Sequence, residues 1–107
     1  MTDALLVYVT VPDEETAARI GRTVVEEHLA ACVNIVPAIR SFYWWEGRLQ
    51  EDGESLLLAK TTRQAFERLR QRIVELHPYS VPCITAMPIQ DGHPPYLEWV
   101  RSETQQQ

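Results

Sequence analysis

The chain is short of cationic side chains, cysteines and the glycine-rich or nucleophile motifs of common enzymes, and each shortage excludes something. Ten Lys and Arg stand against fifteen Asp and Glu, so the net charge of −5 leaves no basic stripe and no nucleic-acid partner is expected. No apolar run approaches the ~20 residues that span a bilayer. Met1-Thr2-Asp3 leads almost directly into an apolar stretch without a basic leader, so a cytoplasmic location with no membrane association is expected. Cys32 and Cys83 lack CxxC spacing and are expected to be free thiols in a reducing compartment. The sequence has no GxSxG, no HExxH and no Walker loop. Its first strand-to-helix turn, Val11-Pro12-Asp13-Glu14, is acidic where an anion nest would be needed, so the expectation is a protein that is not an enzyme.

What is present supports one domain, residues 1–107, because 107 residues with 45% hydrophobic content build one modest core and not two. Ala4 to Val11 alternates Leu5, Val7, Val9 and Val11 with Leu6, Tyr8 and Thr10, apolar on both faces, which predicts a central strand. Asp13-Glu14-Glu15 supplies a cap and first-turn acids for a helix reaching about His28, with Ala17, Ile20 and Val24 on its apolar face. A second strand begins at Ala31, with a bend or bulge at Pro37, and continues through Ser41 to Trp45. Glu46-Gly47 predicts the hairpin turn. The return arm, Arg48 to Thr61, carries an expected irregularity at Glu51 to Glu54 and ends in the doubly apolar Leu56 to Ala59.

Thr61 and Gln64 fit a capping box before a helix whose apolar positions are Phe66, Leu69, Ile73 and Leu76. That helix is expected to end at His77-Pro78. A fourth strand over Ile84 to Ile89, a turn at Asp91 to Pro95, a short helix from Tyr96 to Ser102 and a frayed tail at 103–107 complete the chain. The order is βαββαβ plus a terminal helix, an α+β ferredoxin-like sandwich with a long β2-β3 hairpin. Right-handed crossovers place both long helices on one face of the sheet. The other face, with Leu6, Tyr8 and part of Leu56 to Leu58, is then uncovered, and an obligate homo-oligomer is expected to cover it.

Four motifs also carry a family resemblance: Ala30-Ala31-Cys32-Val33-Asn34-Ile35, the Tyr43-Trp44-Trp45-Glu46-Gly47 run extending to Lys60, His77-Pro78-Tyr79 with Val81-Pro82, and Tyr96-Leu97-Glu98-Trp99. Together they resemble the CutA family of divalent-cation tolerance proteins over roughly residues 4 to 100. The resemblance implies a tight homotrimer, similar in architecture to the P-II signalling proteins, and a role in tolerance to copper and other divalent metal ions. A P-II-like module that binds a small ligand or a protein partner, without a metal site, is the alternative reading.

Site candidates follow from side-chain chemistry. His77 is a candidate ligand for copper or another divalent metal, or else a solvent-facing imidazolium at a helix C-terminus. Cys83 offers a thiolate to the same site, or else is a small apolar filler. The family pattern commonly has acids at the positions of Ser80 and Cys83, and the cysteine found in some members' first strand would fall near Val9, so those ligands are absent. Cys32 is expected in the core, and His28 and His93 at the surface. Lys60, at the end of a buried strand, needs a partner, and Glu46, Tyr79 or a bound anion is expected to supply it in a cleft between subunits. Of the four aromatics from Phe42 to Trp45, two are expected to serve the core and two an interface. The hairpin tip, with Tyr43, Trp44, Trp45 and Leu49, is assigned to the trimer interface.

Overall fold

The computed structural model describes residues 2–105 and shows an α+β sandwich of four strands and three helices. The strands are β1 (Ala4–Val11), β2 (Cys32–Trp45), β3 (Arg48–Thr62) and β4 (Ile84–Pro88). The helices are α1 (Glu14–Glu26), α2 (Arg63–Leu76) and α3 (Pro94–Glu103). The sheet order is β2-β3-β1-β4 with every neighbouring pair antiparallel, the ferredoxin-like arrangement expected from the element order.

One face of the sheet is covered. Val7, Val9, Val11, Leu57 and Ala59 pack against Ala17, Ile20 and Val24 of α1 and Leu69 and Ile73 of α2, all fully buried. Both helices therefore lie on the same side. α1 lies so close to the sheet at Gly21 that a Cβ there would stand 2.9 Å from Cγ1 of Val33 on β2. Arg72 of α2 fastens the pair by a two-pronged contact with Glu27, which caps α1, at 3.0 Å for each nitrogen.

Caps set the helix boundaries. Asp13 accepts from Thr16 N at 2.7 Å and opens α1. Thr62, one residue beyond the expected Thr61, caps α2 by accepting from Ala65 N. Thr61 instead points into the core and donates to the Leu29 carbonyl at 2.7 Å, so the alternation of β3 runs through it and leaves the cap to its neighbour. Pro94 and Pro95 form the first turn of α3, where no backbone N–H is needed, and are helical where a turn was expected.

The expected fraying of the tail is corrected at its start. Glu103 is helical, and Thr104 is buried with its hydroxyl donating to the Val100 carbonyl at 2.9 Å and lying 3.4 Å from that of Thr62. Residues 106 and 107 lie outside the described residues.

The hairpin is longer than the sheet that carries it. β1 pairs with β3 only as far as Val11 opposite Ser55. Beyond that point β2 and β3 continue alone to Trp45 opposite Arg48, a two-stranded ribbon of about 20 Å at ~3.3 Å per residue. Glu46 and Gly47 close it with φ of 52° and 78°, both positive as a two-residue primed turn requires.

The bulge lies on β2 at Pro37-Ala38, where Val36 pairs with Leu56 but Ile39 pairs with Glu54. Ser55, buried opposite the extra residue, donates to the Pro37 carbonyl at 2.6 Å. The expected irregularity at Glu51 to Glu54 is not there, because β3 runs unbroken and β2 absorbs the mismatch.

Candidate functional site

The bulge decides which side chains meet. On the uncovered face of the sheet, Cys32, Asn34 and Val36 of β2 stand opposite Lys60, Leu58 and Leu56. The extra residue then shifts the alternation of β2, so Ile39, Ser41, Tyr43 and Trp45 continue on that same face opposite Glu54, Asp52, Gln50 and Arg48. Arg40, Phe42 and Trp44 take the reverse face of the ribbon. No aromatic of this run enters the core of the chain, where two of the four were expected. Phe42 is 62% exposed and Trp44 72%, because the ribbon has left the helices behind.

Where β1 stops, a cavity of about 950 Å³ opens between the ribbon and the loop that precedes β4. Tyr43, Trp45, Asp52 and Glu54 form the ribbon wall, Tyr8 and Thr10 the end of β1, and Tyr79 to Val81 with Cys83 the loop wall. Two phenols are tied to two carboxylates here, one from the loop to the ribbon and one within the ribbon. Tyr79 donates to Glu54 at 2.7 Å and Tyr43 donates to Asp52 at 2.5 Å. Burial and the Glu54 carboxylate push the Tyr79 phenol well above its ordinary range, and the Asp52 hydrogen bond pushes Tyr43 up as well.

His77 holds the loop in place. It is buried, the C-cap of α2, with Nε2 donating to the Thr10 carbonyl at 2.8 Å and Nδ1 accepting from Tyr79 N at 3.2 Å. Those two partners fix the neutral tautomer with its proton on Nε2. His77 is therefore not a solvent-facing imidazolium. Its ring also packs on that of Tyr79, with centroids 4.7 Å apart. Cys83 is exposed on the cavity rim rather than a buried filler, and His77 is not among the cavity-lining residues.

Lys60 is placed elsewhere. Its ammonium donates to the Asn34 side chain at 3.2 Å and lies 5.7 Å from the centroid of Tyr96. Glu46 sits in the hairpin turn, roughly 40 Å along β3 from Lys60 at ~3.3 Å per residue. One chain thus does not assemble Lys60, Glu46 and Tyr79 into a cleft, because the hairpin separates its tip from its base. Cys32 is half-buried on the open face beside Asn34, not in the core. His28 takes a left-handed backbone after α1 and contacts the Glu103 carbonyl at 2.9 Å, and His93 is exposed before α3.

Asp52 and Glu54 were not singled out from the sequence, and Tyr8 only as part of the uncovered face. Once the bulge is placed, the period of two along β2 and β3 puts both acids beside Tyr43 on one face. The signal therefore existed, but only with the register known.

Fold and cavity together define a ferredoxin-like domain with a projecting hairpin and a partly uncovered sheet face. The family model described as the CutA1 divalent ion tolerance protein matches residues 5–103, and the chain belongs to that family. The divalent-cation tolerance protein CutA of Thermus thermophilus is 54% identical over 99 residues, covering 92% of this chain and 96% of that protein. Its solved structure superposes with a TM-score of 0.93 over 94% of this chain and 98% of that one, at 52% identity. CutA1 of Oryza sativa superposes with a TM-score of 0.94 at 43% identity, over 99% of this chain and 97% of that one. Some relatives are longer. Against human CutA the chain is 44% identical over 98 residues and spans 55% of that protein's length.

Proposed function

We propose that this chain acts in the cytoplasm as a homotrimer, a non-enzymatic protein of divalent-cation tolerance that binds copper or another divalent metal ion across subunit boundaries. The observation that carries the reading is the projecting ribbon. Phe42, Trp44 and Leu49 are each more than 60% exposed on it, and a two-stranded ribbon is marginal without further contacts. α3 reaches the face of Leu6, Leu58 and Met87 at its Lys60 end through Tyr96, but Met87 is 44% exposed and Leu6 and Leu58 are half-buried, which adds apolar surface for a neighbouring copy to bury. A count of three follows from the family resemblance.

Among the described residues, no group of three His, Cys, Asp or Glu within one chain is able to hold a metal ion. The reading therefore draws its donors from more than one copy. Cys83 is the soft donor at hand, and its thiolate favours reduced copper over Mg²⁺ or Ca²⁺. His77 joins it only by releasing the Tyr79 amide from Nδ1. No helix among the described residues is long and apolar enough to cross a membrane.

Sedimentation at micromolar concentration tests the assembly. A trimeric mass is expected, and Trp44→Asp is expected to lower it; a stable monomer of the unaltered chain sinks the proposal. Calorimetric titration with reduced copper and with Zn²⁺ tests the metal. Cys83→Ala is expected to abolish or weaken binding, whereas identical isotherms for the two proteins move the metal away from the cavity rim.

A further inference from the structure

We propose that in the assembled protein the Lys60 ammonium of one copy enters the acidic cavity of the next, where it meets the carboxylates of Glu54 and Asp52. This pairing rests on the homotrimeric reading above and names the side chain with which a neighbouring copy closes the cavity. Lys60 is the single lysine of the chain, beside nine arginines.

Both halves of the contact are incomplete within one chain. Glu54 and Asp52 stand on the cavity wall among Tyr8, Tyr43, Trp45 and Tyr79. Each accepts one phenolic hydrogen bond and keeps further lone pairs. Arg40 is the one cationic residue on that lining, and its guanidinium is paired with Glu51. Glu54 is only 8% exposed, so its charge is weakly screened by water and favours a cation seated against it. The aromatic walls suit an ammonium as well, through the ring quadrupoles. Lys60 has the complementary deficit. Its partners are the Asn34 side chain and the Tyr96 ring, both neutral, and no carboxylate pairs with it among the described residues. Lys60 is already half-buried, and covering its face removes more water from the ammonium, a loss that a counter-charge offsets.

The strand geometry forbids the pairing inside one copy and allows it between copies. β3 runs unbroken, so Lys60, Leu58, Leu56, Glu54 and Asp52 share the open face. Lys60 and Glu54 lie about 20 Å apart along it at ~3.3 Å per residue, beyond the reach of a lysine side chain. The face therefore carries negative charge at one end, positive charge at the other and leucines between. Set head to tail, two copies bring unlike ends together, and in a closed ring each copy both gives and receives the contact. Arg48 also lacks a carboxylate partner among the described residues, but it is exposed at the hairpin tip, where water serves its charge and a pair contributes little.

A zero-length carbodiimide tests the pairing on the assembled protein. It joins an ammonium to a carboxylate in contact, forming an amide while the carbodiimide takes up the water lost. Every link from a lysine side chain is a link from Lys60. Mass spectrometry is expected to find Lys60 joined to Glu54 or Asp52, in chains that run as covalent multimers under denaturing conditions. Lys60→Arg keeps the charge and is expected to lose the link. Lys60→Gln is expected to raise the concentration at which the assembly falls apart by at least about tenfold, read by sedimentation. An assembled protein in which Lys60 stays unlinked, or is linked only to other acids, overturns the pairing and leaves the assembly standing. So does a Lys60→Gln variant that assembles as tightly as the unaltered chain. A monomeric mass for the unaltered chain removes both.

Discussion

His77 holds two backbone groups at once, so replacing it acts on the loop before it acts on any ligand. His77→Ala leaves the Thr10 carbonyl and the Tyr79 amide without their partner, and at these part-buried positions each loss costs about 1 kcal/mol. Urea denaturation is expected to show a lower midpoint with an unchanged slope. An unchanged midpoint removes the loop-holding role. Tyr79 reports the same cluster from the alkaline side. Its phenol titrates above the ordinary 10.0 in the folded protein, so the stability this adds is complete below pH 10 and is lost as pH rises through the higher folded value. Absorbance near 295 nm is expected to show a late-titrating phase in the native protein, and Tyr79→Phe is expected to reduce it to what Tyr43 contributes. A native protein whose tyrosines all titrate near pH 10 counts against the Glu54 contact.

At the scale of elements, α1 depends on Asp13. The Thr16 amide holds its carboxyl below the ordinary 3.8, so the stabilisation is present above that value and fades as pH falls through the folded pKa. Asp13→Asn keeps a side-chain acceptor but has nothing to titrate. Acid melting below about pH 4 is expected to be shallower in that variant, and parallel curves for both proteins would reject the cap as an acid-sensitive contact. The elements themselves were legible in the sequence because their signals are local. Alternation marks β1, spacing of three and four marks α2, and Glu46-Gly47 marks the turn. The site was less legible. Its members come from β1, both arms of the hairpin and the loop after α2, and only the register brings Asp52 and Glu54 beside Tyr43. His77 was visible as a candidate ligand, but its two backbone bonds join the end of α2 to the end of β1, a relation that no single stretch encodes. Lys60 likewise finds Asn34 and Tyr96, one on a neighbouring strand and one on the terminal helix.

For the whole molecule, stability is distributed along a length of 44 Å against widths of 25 and 22 Å. The base of the sheet carries the buried core, whereas the ribbon tip carries exposed aromatics and a ladder only two strands wide. Hydrogen exchange is expected to follow that division. Amides of β1 and of β3 from Ser55 to Thr62 should be slowest at every protein concentration. Those from Arg40 to Gly53 should become slow only as the protein assembles on concentration. Protection of the tip that is independent of concentration would mean that the ribbon stands without neighbours.

The extra residue at Pro37-Ala38 acts as a phase shift in the reading of β2. Without it, the segment from Ile39 to Trp45 would present its other set of side chains, exchanging Tyr43 and Trp45 for Arg40, Phe42 and Trp44. Deleting Ala38 therefore tests the fold as a frameshift tests a message. The two long helices and β1 should survive, since the core they share lies at the base of the sheet and not in the ribbon. Assembly and cavity should fail together, and sedimentation alongside circular dichroism would register a folded but solitary subunit. An assembled deletion variant would show that the ribbon can restore its phase elsewhere. The spacing of one residue, rather than the identity of any aromatic, would then have ceased to be what tells the inner side of the hairpin from the outer.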